Sequence, residues 1–521
     1  MKFKLKEILA KTWIYALFIG IMILVISMKK DYHMDEVFSY GLANNVGQTS
    51  IHPDYAPHTY ENPAEVFLDY MLIEEGEGFS ISNCWYNQER ESSPPLYYFT
   101  VHIMSVFAGQ RFSRWTAGVI NLFYLSLTLC AFRDILKYFG IKGRKLTLFS
   151  LFFVLSPAIL NDASFFRMYT MAIFFATWMS ALILKYRKKE NWKFYGQIIV
   201  AAVCGVLTQY YLIFYLFFIS LIYGISLLAE KQWKKAGYYI GSMGVAGGLT
   251  YLIFPGIIAH LFSASRGAEG LENFQRGFEV HWQNLREYCQ IVNEQLFGGF
   301  FWILLIAAAV ILVVVVIKEK KTVKIPERIW DLCIGFLPTT GYILIVSKVA
   351  PYNTDRYIMA VFAMIIAAIL LGLNWFFDVC LGSKQKIKHT AFILVCVGML
   401  GSIWHGFRWP YLYLSAEEHI NKIAEYSDVD GLCVLDVGWK ISGNFIEMTK
   451  LGSLTFFQTE ISALDVMEEL KNKDEYILYV VEDCNAAEIM HQVYAICPQI
   501  NAYEYIGDSD FAEIYHLYHE N

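Results

Sequence analysis

The chain has little of what a soluble enzyme is built from. Only 17% of its 521 residues are charged, against roughly 25% in soluble domains. A basic stripe of the kind nucleic-acid binding needs is missing, and the net charge of −6 carries little meaning once charges are segregated by membrane side. The 10 cysteines show no C-x-x-C spacing, so neither a zinc site nor a redox motif is indicated. There is no Walker A loop, no G-x-G-x-x-G at a strand–helix junction and no nucleophile elbow, which removes the usual nucleotide-binding and hydrolase signatures.

What is present is hydrophobicity. Apolar residues make up 56% and aromatics 17% of the chain, and the mean hydropathy is +0.38. This is the composition of a polytopic helical membrane protein with aromatic-rich interfaces. The basic start Lys2, Lys4, Lys6 precedes an apolar run from about Thr12 to Met28, with no small-x-small cleavage site and Lys29-Lys30 behind it. The reading is an uncleaved first helix.

A span needs about 20 apolar residues. Eleven are expected, near 12–28, 114–133, 146–165, 169–185, 195–213, 214–229, 237–258, 299–317, 329–347, 357–378 and 390–407. Basic clusters at Lys142/Arg144/Lys145, Lys185/Arg187/Lys188/Lys189, Lys231/Lys234/Lys235, Lys318/Lys320/Lys321 and Lys384/Lys386/Lys388 then fall on alternate loops. This predicts a multi-pass cell-membrane protein with a cytoplasmic N-terminus and an extracytoplasmic C-terminus. The apolar segment from Pro94 to Ala108 is too short to span and is expected in the outer interface.

Two external loops result, 29–113 and 259–298, within a membrane domain of residues 1–410. Residues 411–521 are soluble in character. Leu432–Val437, Ser453–Gln458 and Glu475–Val481 read as strands, and Gly443–Lys450, Ala463–Lys471 and Ala486–Tyr494 as helices. This alternation predicts a small extracytoplasmic α/β domain on a partly parallel sheet, with Ala502–Tyr505 and Phe511–Tyr518 as an antiparallel edge. Cys84, Cys289, Cys433, Cys484 and Cys497 fall outside in this topology, and their pairing is left open.

Four places carry chemistry. Asp35-Glu36 follow the first span in apolar company (Met34, Val37, Phe38, Tyr40). A carboxylate there suits a general base toward a hydroxyl or amine, and its neighbour suits a divalent metal. A solvated helix end is the plainer account. Glu91 opens Glu91-Ser-Ser-Pro94-Pro95-Leu-Tyr97-Tyr98. Arg167-Met168-Tyr169 closes the third span, and Asp355-Arg356-Tyr357 opens the tenth. Arginines at that depth either snorkel to headgroups or grip phosphate through their planar fork of donors.

Taken together, these motifs resemble the C-type membrane glycosyltransferases of family 39, the protein O-mannosyltransferase and aminoarabinose-transferase-like group, as a bacterial member. The resemblance covers about residues 1–410 and is strongest over 10–215. It implies that Asp35 and Glu36 are the catalytic pair. It further implies that Arg167, Tyr169, Arg356 and Tyr357 hold the donor phosphate, and that Glu36 with Glu91 holds a divalent metal (Mg, Mn or Zn). The chain departs from the family at Ser93, where His is common, and at Gln209-Tyr210, where His-Tyr is frequent.

The implied function is inverting transfer of a sugar from a polyprenyl-phosphate donor to an extracytoplasmic protein, lipid or glycopolymer acceptor. Asp35 deprotonates the acceptor, and the arginines or the metal balance the leaving phosphate. The competing readings are a transporter or lipid flippase, and a non-catalytic protein that displays the 411–521 domain. A transporter is expected to show mid-membrane charges, broken helices or internal repeats, and no repeat is seen.

Overall fold

The computed structural model describes residues 2–109, 111–263, 265–319, 328–381 and 385–520. Lys320, Lys321 and Lys384 of the expected basic clusters lie outside them. The chain divides into two compact units. One comprises Met1–Val25, Ser92–Tyr97 and Gly118–Trp409, and the other Ile26–Glu91, Tyr98–Ala117 and Pro410–Asn521.

The first unit is helical. Each of the eleven expected spans has a helix, but they are not equivalent. Among the described residues, six helices are long and apolar enough to cross a membrane: Arg114–Tyr138, Tyr169–Tyr186, Leu212–Ala229, Ile329–Val349, Met359–Leu381 and Gln385–Gly406. The runs at Thr12–Ser27 and Trp192–Thr208 are apolar but shorter. The remaining three are bent or broken, which raises the count to nine when each bent pair is taken as one span.

The expected single span 146–165 is two helices, Gly143–Val154 and Pro157–Ser164, inclined by 49°. The cause is local. Pro157 has no N–H to donate back along the helix and forces Ser156 into an extended conformation (φ −69°, ψ 118°). The expected 237–258 span likewise stops at Ile253, ahead of Pro255. Phe278–Phe297 meets the following helix at 88° across Gly298, which is left-handed (φ +59°).

One buried cation of this unit is paired across three helices. Arg187, read from sequence as part of a basic flank, is 5% exposed. It donates to Asp331 Oδ1 at 2.6 Å and also binds Glu230. The ends of three helices are thereby tied, because each buried charge requires the others.

The second unit contains a six-stranded sheet: β1 (Thr59–Tyr60), β2 (Asp430–Leu435), β3 (Ser453–Gln458), β4 (Glu475–Val481), β5 (Ala502–Ser509) and β6 (Ala512–Tyr518). Their order is β1-β3-β2-β4-β6-β5. β2 pairs in parallel with β3 (Leu432 opposite Thr455) and with β4 (Leu432 opposite Leu478), and β6 runs antiparallel between β4 and β5. β2 is buried almost end to end, as a strand covered on both faces must be. Leu432, Val434, Leu478 and Val480 pack with Leu464, Ile489 and Val493 from the flanking segments.

The three parallel strands and the antiparallel edge match the expectation. Of the expected helices, Ala486–Ile496 forms as such. The other two are largely 3-10 turns, Gly438–Asn444 and Ser462–Val466, each followed by a single α turn. β1 was not foreseen. It comes from the first loop and pairs antiparallel with β3, its Thr59 hydroxyl 2.8 Å from that of Thr455. All ten cysteines are free thiols.

Replacing Arg187 with Met leaves Asp331 and Glu230 without their cation. The expected cost is about 3–5 kcal/mol, read as a lower thermal unfolding temperature in detergent. An Asp331→Asn/Arg187→Met double variant should recover much of it.

Candidate active site

In the second unit, the acidic pair begins the helix Met34–Asn44. His33 caps that helix: its Nδ1 accepts from the Asp35 amide at 3.0 Å. The Glu36 carboxylate reaches back to the His33 amide at 2.7 Å. This is a capping box with histidine in the place usually taken by Ser or Thr, and that substitution hid it in the sequence.

The two carboxylates have different surroundings. Glu36 has no exposed surface, and its Oε2 lies 2.9 Å from Lys29 Nζ, which is equally buried. Lys29 also donates to the Tyr411 carbonyl at 2.6 Å and lies over the rings of Tyr32 and Tyr413 at 5.4 and 5.3 Å. Burial holds the Lys29 ammonium below its ordinary pKa, while Glu36 pulls it back up. Asp35 keeps 23% of its side chain exposed, 3.8 Å from His33 Nδ1. One carboxylate is thus locked into the fold and the other is open to an incoming group. Lys29 had been read only as a flank of the first helix. Its burial was beyond sequence reasoning because Tyr411 and Tyr413 are remote in the chain.

Beside them, Asp31 is 7% exposed. Burial, with Glu447 and Asp510 nearby, pushes its carboxyl up to about 7, against the opposing pull of the Tyr32 amide and Lys29.

Glu91 caps the C-terminal end of Ile81–Arg90, its amide donating to the Asn87 carbonyl. As a metal pair, Glu36 and Glu91 do not fit the donor set. The Glu36 carboxylate is already engaged by the Lys29 ammonium and the His33 amide.

In the first unit, Arg167 lies in the turn between Pro157–Ser164 and Tyr169–Tyr186 and is 8% exposed. Asn121 holds that turn. Its Nδ2 donates to the carbonyls of Ala163 and Phe165 at 3.1 and 2.8 Å, and its Oδ1 accepts from Thr170 at 2.7 Å. The rings of Phe165 and Tyr169 stack at 5.3 Å. Arg356 sits on the 3-10 turn Asp355–Tyr357, with its guanidinium 5.2 Å from the Tyr357 ring and 5.8 Å from the Tyr352 ring.

Tyr211 links the two motifs. Its ring is 5.3 Å from that of Tyr357, and its hydroxyl is in electrostatic reach of Tyr357, Tyr169, Arg266 and Glu269. Arg266, from the 259–298 segment, lies 6.0 Å from the Tyr352 ring. The Arg-x-Tyr and Arg-Tyr motifs therefore share one aromatic cluster. Tyr288, in electrostatic reach of Arg356 and Tyr357, also lines a cavity of about 680 Å³. Its other walls include Val292, Leu304, Thr339, Ile369 and Phe376.

No family model matches the chain, and no curated protein does. Among solved structures, ArnT from Cupriavidus metallidurans bound to undecaprenyl phosphate superposes with a TM-score of 0.52 at 10% identity, covering 97% of each chain. The same protein in its apo state gives 0.46 at 11% identity, covering 97% of this chain and 98% of the other. The chain therefore has the ArnT-like C-type glycosyltransferase fold expected from the motifs, set in a membrane by its apolar helices.

Two measurements follow from the acidic cluster. Lys29→Met should lower the unfolding temperature by an amount equivalent to about 3–5 kcal/mol, since it strands a buried Glu36; Glu36→Gln in that background should restore part of the loss. Asp31 is protonated more readily folded than unfolded, so its contribution is full below pH ~4 and is lost as pH rises to about 7. Unfolding temperatures taken across that window should fall less steeply in Asp31→Asn.

Proposed function

We propose that this chain transfers a sugar from a polyprenyl-phosphate donor to an acceptor outside the cytoplasm, with inversion at the anomeric carbon. The observation that carries the reading is the arginine–tyrosine cluster of the first unit, with an apolar cavity sharing its Tyr288. A phosphate on Arg167 and Arg356 and an isoprenoid chain in the cavity are the two halves of such a donor. The fold adds support, since ArnT has been solved with undecaprenyl phosphate bound.

In this reading Asp35 is the base. The acceptor oxygen attacks the anomeric carbon as its proton passes to the Asp35 carboxylate, and the bond from that carbon to the phosphate oxygen breaks. The polyprenyl phosphate leaves with its electron pair and an added negative charge. Arg167 and Arg356 balance that charge without a proton transfer, and the guanidinium fork suits two phosphate oxygens at once. Glu36 does not touch the substrate; paired with Lys29, it orients the helix turn that bears Asp35. The reading places the N-terminus in the cytoplasm and residues 411–521 outside. Protein, lipid and glycopolymer acceptors all satisfy the chemistry.

A transporter or flippase is the second reading, favoured by the broken third span and its buried Asp162. A detergent-solubilised sample distinguishes the two. Sugar leaving the polyprenyl carrier in a detergent-solubilised sample, where there are no sides to cross, supports transfer and excludes pure transport.

Asp35→Asn should lower transfer by 10²–10⁴-fold with donor binding unchanged. Arg356→Lys should weaken donor binding and Arg356→Ala should weaken it further, because a lysine keeps the charge and loses the planar fork. If the arginine variants bind donor normally while Asp35→Asn loses it, these roles are reversed.

A further inference from the structure

Two short loops of the first unit carry positive charge that the proposed transfer leaves unused. One joins the helix Tyr169–Tyr186 to Trp192–Thr208, and the other joins Leu212–Ala229 to Trp233–Ile253. Each leads into a helix that starts with Trp-Lys, at Trp192-Lys193 and at Trp233-Lys234. Those two helices pack along each other, and the rings of Tyr195 and Tyr238, in their first two turns, lie 5.9 Å apart. Arg187 of one loop is ion-paired to Glu230 of the other. The two Trp-Lys starts are therefore neighbours on one surface.

Six lysines on this surface are exposed: Lys185, Lys188, Lys189, Lys193, Lys231 and Lys234. Between residues 185 and 235 the chain has two acids, Glu190 and Glu230, and both are engaged. Glu230 is taken by Arg187. Glu190 accepts from the hydroxyl of Tyr195 at 2.5 Å and from that of Tyr223. Among the described residues none of the six lysines has a carboxylate partner. Two of them lie over adjacent rings instead, Lys185 at 5.3 Å from Tyr186 and Lys193 at 5.9 Å from Trp192. Trp192 is 78% exposed and Trp233 66%.

Like charges gathered on one surface repel, so their counter-charge must come from outside the chain. Exposed indoles settle at the level of lipid headgroups, and cations at that level meet phosphates. Setting the orientation of the spans asks only for an excess of basic residues on one side; it does not ask for two loops to pool them beside paired tryptophans. The loop bearing Lys142 and Arg144 has the same sign and no tryptophan, and Lys145 there donates to Asn374 Oδ1 at 2.8 Å. Exposed Val200, Ile240 and Val245 on the two Trp-Lys helices offer apolar surface to acyl chains.

We propose that this surface binds the headgroup of an anionic phospholipid, with the lysines on its phosphate, the two indoles at the glycerol level and the acyl chains along Trp192–Thr208 and Trp233–Ile253. It is a second lipid contact, separate from the arginine–tyrosine cluster, and it goes beyond the proposed transfer.

The test is lipid binding by the full chain. Protein purified in detergent is titrated with phosphatidylglycerol, or with phosphatidylcholine of the same acyl chains, and bound lipid is counted by native mass spectrometry. Phosphatidylglycerol should bind at least tenfold more tightly, and the preference should shrink as NaCl is raised, because exposed charges are screened. A Lys188→Gln/Lys189→Gln/Lys234→Gln variant should lose most of the preference, whereas Lys142→Gln/Arg144→Gln should keep it. Millimolar glycerol phosphate, which has the phosphate without the chains, should not displace the lipid. Equal binding of the two lipids overturns the proposal, and that comparison needs no variant. So does a preference that persists in the triple variant or falls as far in Lys142→Gln/Arg144→Gln. Displacement by glycerol phosphate also overturns it and marks a free-phosphate site instead. The readout involves no sugar donor, so failure of this surface and failure of the transfer reading are separate results.

Discussion

An ammonium with no exposed surface must have its counter-charge supplied by the fold, and in the second unit that demand organises everything near the acidic pair. Lys29 takes Glu36 as its carboxylate and the Tyr411 carbonyl as a second acceptor. The adjoining Lys30 amide donates to the Leu412 carbonyl at 2.9 Å. The chain leaving the first helix is thereby fixed to the segment that enters the C-terminal α/β region. Because Glu36 also bonds the His33 amide, the same ion pair sets the first turn of Met34–Asn44. Asp35 is carried on that turn with 23% of its side chain exposed. Tying one member of the pair to a buried ammonium while the other keeps part of its surface gives two adjacent carboxylates different surroundings.

In the first unit the constraint is the cost of free backbone groups in an apolar medium. A helix that breaks there must have its carbonyls satisfied from elsewhere. Pro157 breaks the third span, and Asn121 from the Arg114–Tyr138 helix meets the demand at its far end by donating to Ala163 and Phe165. Arg167 depends on that repair for its place. The Asp355–Tyr357 turn is held in a similar way, with Tyr342 donating to the Tyr357 carbonyl at 2.7 Å. Both arginines thus sit on irregular backbone that polar side chains from regular helices hold in place.

Much of this was legible from the chain alone. Hydropathy located a helix at each expected span, because long apolar runs have few other uses, but the helices Ser265–Gln275 and Phe278–Phe297 lie in a segment read as an external loop. Apolar runs between turn residues located four of the strands from Asp430 to Tyr518 within two residues, and the start but not the end of the fifth, Ala502–Ser509. The order of Asp35-Glu36, Arg167-x-Tyr169 and Arg356-Tyr357 pointed to the fold that the ArnT superposition displays. These signals are local or depend on order along the chain, and a sequence states both directly.

What tertiary structure decided is which charges are inside. Lys29 and Arg187 carry the same letters as the lysines and arginines that flank spans, and only their packing shows that one neutralises Glu36 and the other Asp331. Tyr211 joined the two arginine motifs through a ring contact with a residue about 150 positions away, and β1 joined a sheet whose other strands begin some 370 residues later. The sequence by itself determined the helices, the strands and the candidate motifs, since apolar periodicity and turn chemistry act over a few residues. The pairing of Lys29 with Glu36 and the Arg–Tyr cluster were decided by the fold, because burial and electrostatics depend on neighbours in space that spacing along the chain does not reveal.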